Sequence, residues 1–258
     1  MLSEDLTPWT TALTDLGGQR VWSLLVSVFG DLAQEEGASI EGPVLSAIMT
    51  AMDVRPEATR VALHRLRNDG WITSEKTGRT SRHSLTRSGR AETILASQRI
   101  YARPEDTCLS WQVIITDGHE PKEEVREAGF TQIAHRIYAG PRGLAAPGDT
   151  LALTGDHVPD WVRESIVPQR LIQEYQSLYS ILEQVSAAVS PQDALPPLGR
   201  AVLRCLIVHN WRRLVLRHPD IPPALCPAGW RGHDCRVLVT GLLDRVSRPA
   251  PAELKISA

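Results

Sequence analysis

The sequence predicts an α+β fold in three parts: an N-terminal winged helix-turn-helix, a small central ferredoxin-like sheet and a helical C-terminal part. Three observations support it. Residues 42–89 read as helix, turn, helix and β-hairpin, and residues 111–154 read as strand, helix, hairpin and strand. The rest of the chain carries Leu, Val and Ile at helical spacing. The predicted domains are residues 19–103, 104–158 and 159–258.

Length and composition indicate a globular chain. Of its 258 residues, 42% are hydrophobic and 22% are charged. This length and hydrophobic content are enough for two or three domains, each with its own hydrophobic core. No uninterrupted apolar run reaches the length needed to span a bilayer, and the N-terminus lacks the pattern of a cleaved signal. We therefore expect a cytoplasmic protein that has no membrane partner.

A pair of short helices begins the first predicted domain. Residues 43–49 form the first helix and residues 57–67 the second, with Pro56 suited to the first helical position and Gly70 following the end. At about 100° per residue the second helix has an apolar back and a donor-rich front. The predicted back is Ala58, Val61, Ala62 and Leu66, and the predicted front is Glu57, Arg60, His64 and Arg67.

A β-hairpin follows the second helix. The strand-like runs 71–75 and 81–85 flank residues 76–80, where Gly78 permits a tight reversal. Basic side chains on this hairpin are positioned as a wing would need them to meet phosphates. Thr86 is a predicted N-cap for a closing helix that runs through Tyr101.

Charge is distributed unevenly along the chain, although the formal net charge is only −2. Residues 55–103 hold eleven basic and four acidic side chains, a local net of +7, whereas residues 1–54 hold one basic and eight acidic, a net of −7. This pattern favours a double-stranded DNA operator as partner. The candidate DNA contacts are Arg55, Thr59, Arg60, His64, Arg67, Lys76, Arg79 and Arg82. Two alternatives stay open: a module whose basic face is only solvated, and a winged-helix adaptor that binds protein.

The central part is predicted from a strand at residues 111–116, a helix at 120–128, a hairpin at 131–139 and a strand at 150–154. This order indicates a ferredoxin-like sheet whose second helix is reduced or missing. Beyond it, Pro-rich breaks separate predicted helices at residues 161–187, 192–216 and 232–247.

Neither metal binding nor catalysis is predicted. Cys108, Cys205, Cys226 and Cys235 are widely spaced and form no CxxC pair, so reduced thiols and no metal are expected, although Cys226 and Cys235 lie near His218 and His233 in the sequence. A metal-dependent nucleic-acid enzyme built on the central sheet is the alternative. Asp117 is its only well-placed carboxylate, and a strand-end Asp is more often a turn former.

Several motifs resemble the PaaX-like repressors of phenylacetic acid catabolism. They are Arg55-Pro56-Glu57-Ala58-Thr59-Arg60-Val61-Ala62-Leu63-His64-Arg65-Leu66, Gly70-Trp71-Ile72, Gly78-Arg79 through Leu85-Thr86, Trp111, Gly129-Phe130, Trp211-Arg212-Arg213, His218-Pro219-Asp220-Ile221-Pro222, and Cys226 through Gly232. The resemblance implies a dimeric repressor with a winged helix, a ferredoxin-like centre and a helical C-terminal domain. It also implies release from DNA by an aryl-acyl-CoA, typically phenylacetyl-CoA. We expect no cofactor apart from this possible effector.

Effector candidates are C-terminal residues that could hold phosphate and an acyl group. They are His209, Trp211, Arg212, Arg213, His218, Trp230, His233 and Arg236. The alternative is that the two tryptophans fill a helical core while the arginines cover its rim.

Overall fold

The computed structural model describes residues 7–17, 20–78, 80–119, 121–189, 195–250 and 253–254. The chain divides into two compact units that combine distant segments of the sequence. Unit 1 comprises Met1–Tyr101, Ser180–Arg212 and Leu238–Ala258, and unit 2 comprises Ala102–Tyr179 and Arg213–Val237. The predicted boundaries at residues 103/104 and 158/159 stay a prediction. Helices and small antiparallel sheets are both present, as the predicted α+β class requires.

In the described residues, the N-terminal part of unit 1 contains five helices and a three-stranded sheet. Their bounds are α1 Thr7–Asp15, α2 Val21–Leu32, β1 Ile40–Glu41, α3 Gly42–Ala51, α4 Pro56–Asn68, β2 Ile72–Thr77, β3 Thr80–Leu85 and α5 Arg87–Ile100. The strand order is β1-β3-β2, and both pairings are antiparallel. Helix α4 packs against α2, α3 and β2. Helices α1 and α2 were not predicted.

Local residue choices explain where α4 and α5 begin and end. Pro56 opens α4 at a position where its missing N–H costs nothing, and Gly70 follows the helix with a φ of 73°. Thr86 caps α5 as predicted, because its hydroxyl oxygen accepts the Gly89 N–H at 3.1 Å. Gly89 also allows a close approach, since a Cβ there would lie 2.3 Å from the Trp71 carbonyl oxygen.

The three long C-terminal helices are α8 Gln169–Ala188, α9 Pro197–Val215 and α10 Gly232–Arg245. Residues 201–210 of α9 are all buried, including three polar side chains that need partners inside unit 1. The Asn210 amide donates to the Leu13 carbonyl oxygen at 2.8 Å, and Ser27 Oγ lies 3.0 Å from His209 Nδ1. Arg204 forms a bidentate ion pair with Asp31 of α2, at 2.9 and 3.0 Å.

Unit 2 is built on a four-stranded antiparallel sheet. Its strands are β4 Trp111–Thr116, β5 Thr131–Ala134, β6 Ile137–Pro141 and β7 Thr150–Leu153, in the order β5-β6-β4-β7, and α6 Lys122–Glu127 connects β4 to β5. These elements match the predicted strand, helix, hairpin and strand. A buried cluster of Ile114, Val125, Phe130 and Tyr138 joins α6 to the sheet.

The predicted helix at 161–187 is wrong as a single element. The structure has α7 Asp160–Ile166, followed by α8 from Gln169. Pro168 explains the break, because its ring disfavours a helical conformation of the preceding residue, and Val167 is extended at φ −117° and ψ 107°. No helix in the described part of the chain is long and apolar enough to cross a bilayer.

Candidate nucleic-acid interface

Helix α4 presents one face to solvent along its whole length. Glu57, Val61, His64 and Asn68 follow the middle of this face, and Arg60 and Arg67 follow one side of it. All six side chains are exposed. We call these six residues the α4 face. It offers donors, an acceptor and one apolar group within a single helix width, which are the groups that read base edges in a major groove.

The buried side of α4 corrects two predictions. Val61 was predicted on the apolar back, but 71% of it is exposed, and this prediction is wrong. Thr59 was predicted to contact DNA, but it is 6% exposed and its hydroxyl donates to the Arg55 carbonyl oxygen at 3.4 Å. Thr59, Ala62 and Leu66 therefore form the packed side of the helix.

The charged groups on the α4 face form only a weak, exposed ion pair with one another. Arg60 Nη2 lies 2.8 Å from Glu57 Oε1, and the two side chains are 73% and 72% exposed. An ion pair this exposed contributes about 0–1 kcal/mol, so a base edge can compete for the guanidinium. Asn68 Nδ2 lies 3.3 Å from His64 Nδ1 and orients that ring.

Arg55 and Arg65 flank this face. Arg55 precedes α4 and is exposed. The Arg65 guanidinium lies 5.0 Å from the centre of the Trp22 ring, and its Nε lies 3.4 Å from Asp69 Oδ2. The Trp22 contact links Arg65 to α2, and the Asp69 contact lies at the C-terminal end of α4.

The β2–β3 hairpin brings further basic groups next to α4. Lys76 and Arg82 are exposed, and Arg82 lies opposite Glu75 across the strands, with Nη2 4.0 Å from Glu41. Arg79, the third predicted hairpin contact, lies outside the described residues. Lys76 is thus a solvent-facing cation near the turn, while Arg82 lies in the middle of the hairpin, beside the carboxylates of Glu75 and Glu41.

His83 is a buried titratable group that sequence reasoning missed. It is 7% exposed in β3, with Nδ1 2.8 Å from Ser74 Oγ and Nε2 3.2 Å from Ser81 Oγ. Burial lowers the pKa of His83 below 6.5, and the nearby Arg67 lowers it further. The alternation of β3, with Leu85 also facing inward, is the sequence signal that could have found it.

The lowered pKa of His83 makes folding stability depend on pH. In the unfolded chain His83 takes up a proton as the pH falls below about 6.5, whereas the folded protein resists protonation. The contribution is therefore fully present above pH 6.5 and is lost as the pH falls through the lowered pKa. Thermal melts from about pH 5 to about pH 8 should show that the melting temperature of His83→Gln falls less at acid pH than that of the wild type. Parallel curves would contradict this.

The predicted effector residues fall into both units. His209, Trp211 and Arg212 belong to unit 1, while Arg213, His218, Trp230, His233 and Arg236 belong to unit 2. His209 and Trp211 are 0% and 1% exposed, and the Trp211 indole N–H donates to the Ile100 carbonyl oxygen. Both side chains are core groups, as the alternative interpretation predicted for Trp211.

The unit 1 arginine of this set is engaged within the fold. Arg212 Nη1 donates to the Ser23 carbonyl oxygen and to Ser27 Oγ at 3.2 and 3.1 Å. Burial lowers the pKa of Arg212. A phosphate would have to displace these bonds, which makes Arg212 a poor candidate for an effector contact.

The unit 2 members include an aromatic cluster. The Tyr175 ring centre lies 4.4 Å from that of Trp230 and 5.8 Å from that of His218. His218 Nδ1–H donates to the Pro219 carbonyl oxygen at 2.6 Å, and His218 Nε2 lies 2.8 Å from the Tyr175 hydroxyl oxygen. Arg236 donates to Ala102 O and Asp220, and His233 is exposed.

The residues considered for the enzyme and metal alternatives make local contacts. Asp117 Oδ1 accepts the His119 N–H at 2.8 Å, which is a turn contact. The four cysteines are free thiols. Cys235 is buried, and its Sγ lies 3.5 Å from the Tyr175 carbonyl oxygen. Burial raises the pKa of Cys226 to about 12.

Comparison with known proteins gives matches at both ends of the chain. The family model of the PaaX-like protein matches residues 20–89, and that of the PaaX-like protein C-terminal domain matches residues 168–255, more than half of the chain together. The chain is also similar to the transcriptional repressor PaaX of Escherichia coli (strain K12), with 27% identity over 266 aligned positions that cover 90% of this chain and 81% of that protein. The chain belongs to the PaaX-like family.

Proposed function

We propose that this chain is a DNA-binding transcriptional repressor in which residues 42–89 form a winged helix-turn-helix. The observation that carries the proposal is the α4 face, which is exposed along the helix while Thr59, Ala62 and Leu66 anchor the opposite side. In such modules the second helix lies in the major groove and the first supports it. The similarity to a transcriptional repressor points to the same role.

In this proposal each kind of side chain on the α4 face has a distinct task. Arg60 and Arg67 can each donate two hydrogen bonds to a guanine, one to O6 and one to N7. His64 and Asn68 can form hydrogen bonds with purine edges, and Val61 can contact a thymine methyl group. The central sheet acts as a ferredoxin-like connecting domain. The active form is a homodimer, because two half-sites one helical turn apart require two copies of α4.

Selection of binding sites from random duplex DNA tests the proposal. The full-length protein is expected to enrich one sequence with two related half-sites whose centres lie about 10 base pairs, or a multiple of this, apart. Enrichment of no sequence would contradict sequence-specific binding. It would also favour the adaptor alternative, in which the α4 face binds protein.

The hairpin should contribute affinity that does not depend on base sequence. Lys76→Ala and Arg82→Ala are each expected to weaken specific and non-specific duplexes alike. Each lost phosphate contact should flatten the slope of log affinity against log salt by about one unit. Binding isotherms at four or more salt concentrations measure this slope. If the double variant Lys76→Ala/Arg82→Ala keeps the wild-type slope, the hairpin does not contact phosphate.

We further propose that an aryl-acyl-CoA such as phenylacetyl-CoA releases the repressor. Membership of the PaaX-like family supports this step. A ligand can release DNA only if it binds the DNA-incompetent arrangement more tightly, since equal affinity for both arrangements moves no population. Saturating phenylacetyl-CoA is therefore expected to lower the affinity for the selected duplex by roughly 5- to 150-fold. An unchanged affinity would exclude it as the effector and leave the DNA-binding proposal standing.

A further inference from the structure

Unit 2 contains a cavity of about 660 Å³ that none of the predicted DNA contacts lines. Its walls come from α6, from strands β5 and β6, from the α7–α8 junction and from the segment that follows α9. The volume lies within the range of roughly 300–1,000 Å³ that is typical of small-molecule sites. Only one predicted effector residue, His218, is part of the wall.

The floor of the cavity is apolar. Phe130, Tyr138, Ile166 and Leu171 contribute to it, and the first three are at most 5% exposed. His218 adds an aromatic edge whose two ring nitrogens contact the Tyr175 hydroxyl and the Pro219 carbonyl oxygen. An acyl chain or aromatic ring placed here would gain van der Waals contacts with these apolar side chains.

The rim of the cavity is cationic on balance. Four basic side chains, Lys122, Arg126, Arg170 and Arg217, stand there with two carboxylates, Glu123 and Glu174. Glu174 is shared between Arg170, at 3.2 Å, and Arg217, while Arg126 lies 3.7 Å from Glu123. Arg126 and Arg170 are 60% and 87% exposed, so the ion pairs of these two arginines contribute little, and an incoming anion can replace the carboxylates that they contact.

We propose that this cavity binds an organic anion whose apolar acyl or aryl body rests on the floor and whose anionic head meets Lys122, Arg126, Arg170 and Arg217. The ligand is either a CoA thioester, with phosphates on the rim, or a free aromatic carboxylate. Binding itself is a property of unit 2. Only its effect on DNA rests on the proposed function.

Calorimetric titration of the full-length protein without DNA tests the site, with phenylacetyl-CoA, coenzyme A and phenylacetate as probes. One of the two acyl compounds is expected to bind once per chain and at least about tenfold more tightly than coenzyme A. A preference for the thioester identifies the phosphate-bearing source, and a preference for phenylacetate identifies the free acid. Binding of neither acyl compound, or equal binding of coenzyme A, would overturn the proposal. Because no DNA is present, this failure is distinct from failure to recognise an operator.

Variants assign the binding to this cavity. Lys122→Ala/Arg126→Ala removes two rim cations and should weaken the preferred probe at least about tenfold. Gln132→Trp places a bulky group at an exposed lining position and should block the cavity without touching the core. Arg142→Ala is the matched control, since it removes an exposed arginine of unit 2 that does not line the cavity. Wild-type affinity in both cavity variants would show that the ligand binds elsewhere.

Discussion

Replacing Arg204 by leucine is expected to lower the free energy of unfolding by about 3–5 kcal/mol. Arg204 and Asp31 are 6% and 0% exposed at their side chains, and they join α9 to α2 by two hydrogen bonds. Arg204 Nη1 also donates to the carbonyl oxygens of Leu243 and Val246, while Asp31 accepts the Tyr101 hydroxyl. The substitution leaves the Asp31 carboxylate buried without its main partner, and this loss dominates the change.

Chemical denaturation of the wild type and of Arg204→Leu measures this effect. Asp31→Leu/Arg204→Leu should lose less stability than the sum of the two single variants, because no charge of the pair is then left buried alone. Arg60→Ala serves as the exposed comparison and should change stability by at most about 1 kcal/mol. A loss below about 1 kcal/mol in Arg204→Leu would contradict the structural role of the pair.

Arg60→Ala is expected to weaken binding of the selected duplex by about 1–3 kcal/mol, roughly 5- to 150-fold, and to relax selectivity at one base step. The reason is that its guanidinium is exposed on the α4 face, where it contacts only groups of its own helix, the Glu57 carboxylate at 2.8 Å and the Pro56 carbonyl oxygen at 3.5 Å. Competition binding against duplexes that carry all four base pairs at each position measures both quantities.

Lys76→Ala provides the contrast for this experiment. It also removes one exposed cation of unit 1, but a phosphate contact carries no sequence information, so affinity should fall for every duplex while the order of preference stays unchanged. Arg60→Ala with unaltered selectivity and a wild-type circular dichroism spectrum would remove Arg60 from base readout.

The sequence predicted most elements of residues 42–101 because their signals are local. Pro56, Gly70 and Thr86 act within a few residues of the element ends they define. The rotation of α4 about its own axis was harder to predict. Packing against neighbouring elements, and not hydrophobicity alone, decides which side of a helix is buried. The Thr59 hydroxyl donates a hydrogen bond to the Arg55 carbonyl oxygen, so this side chain can be buried. With Thr59 on the buried side of the helix, Val61 faces solvent.

Long-range pairing could not be predicted from one sequence. Asp31 and Arg204 are separated by 173 positions, and neither residue shows a pattern that marks it as buried. The same limit applies to the cavity of unit 2, whose wall residues run from Lys122 to Pro219. The sequence placed the effector among eight basic and aromatic residues of the C-terminal part, but Trp211 is a core residue and, of the eight, only His218 lines the cavity.

The ratio of specific to non-specific affinity tests the central claim most directly. Fluorescence anisotropy of the full-length protein, on the selected duplex and on a shuffled duplex of equal composition at one physiological salt concentration, gives this ratio. A sequence-reading α4 face predicts a ratio of about 10³ or more in the wild type. It also predicts a clear reduction in a variant that replaces Arg60, His64 and Arg67 by alanine while the shuffled duplex still binds. A wild-type ratio near one would contradict the account.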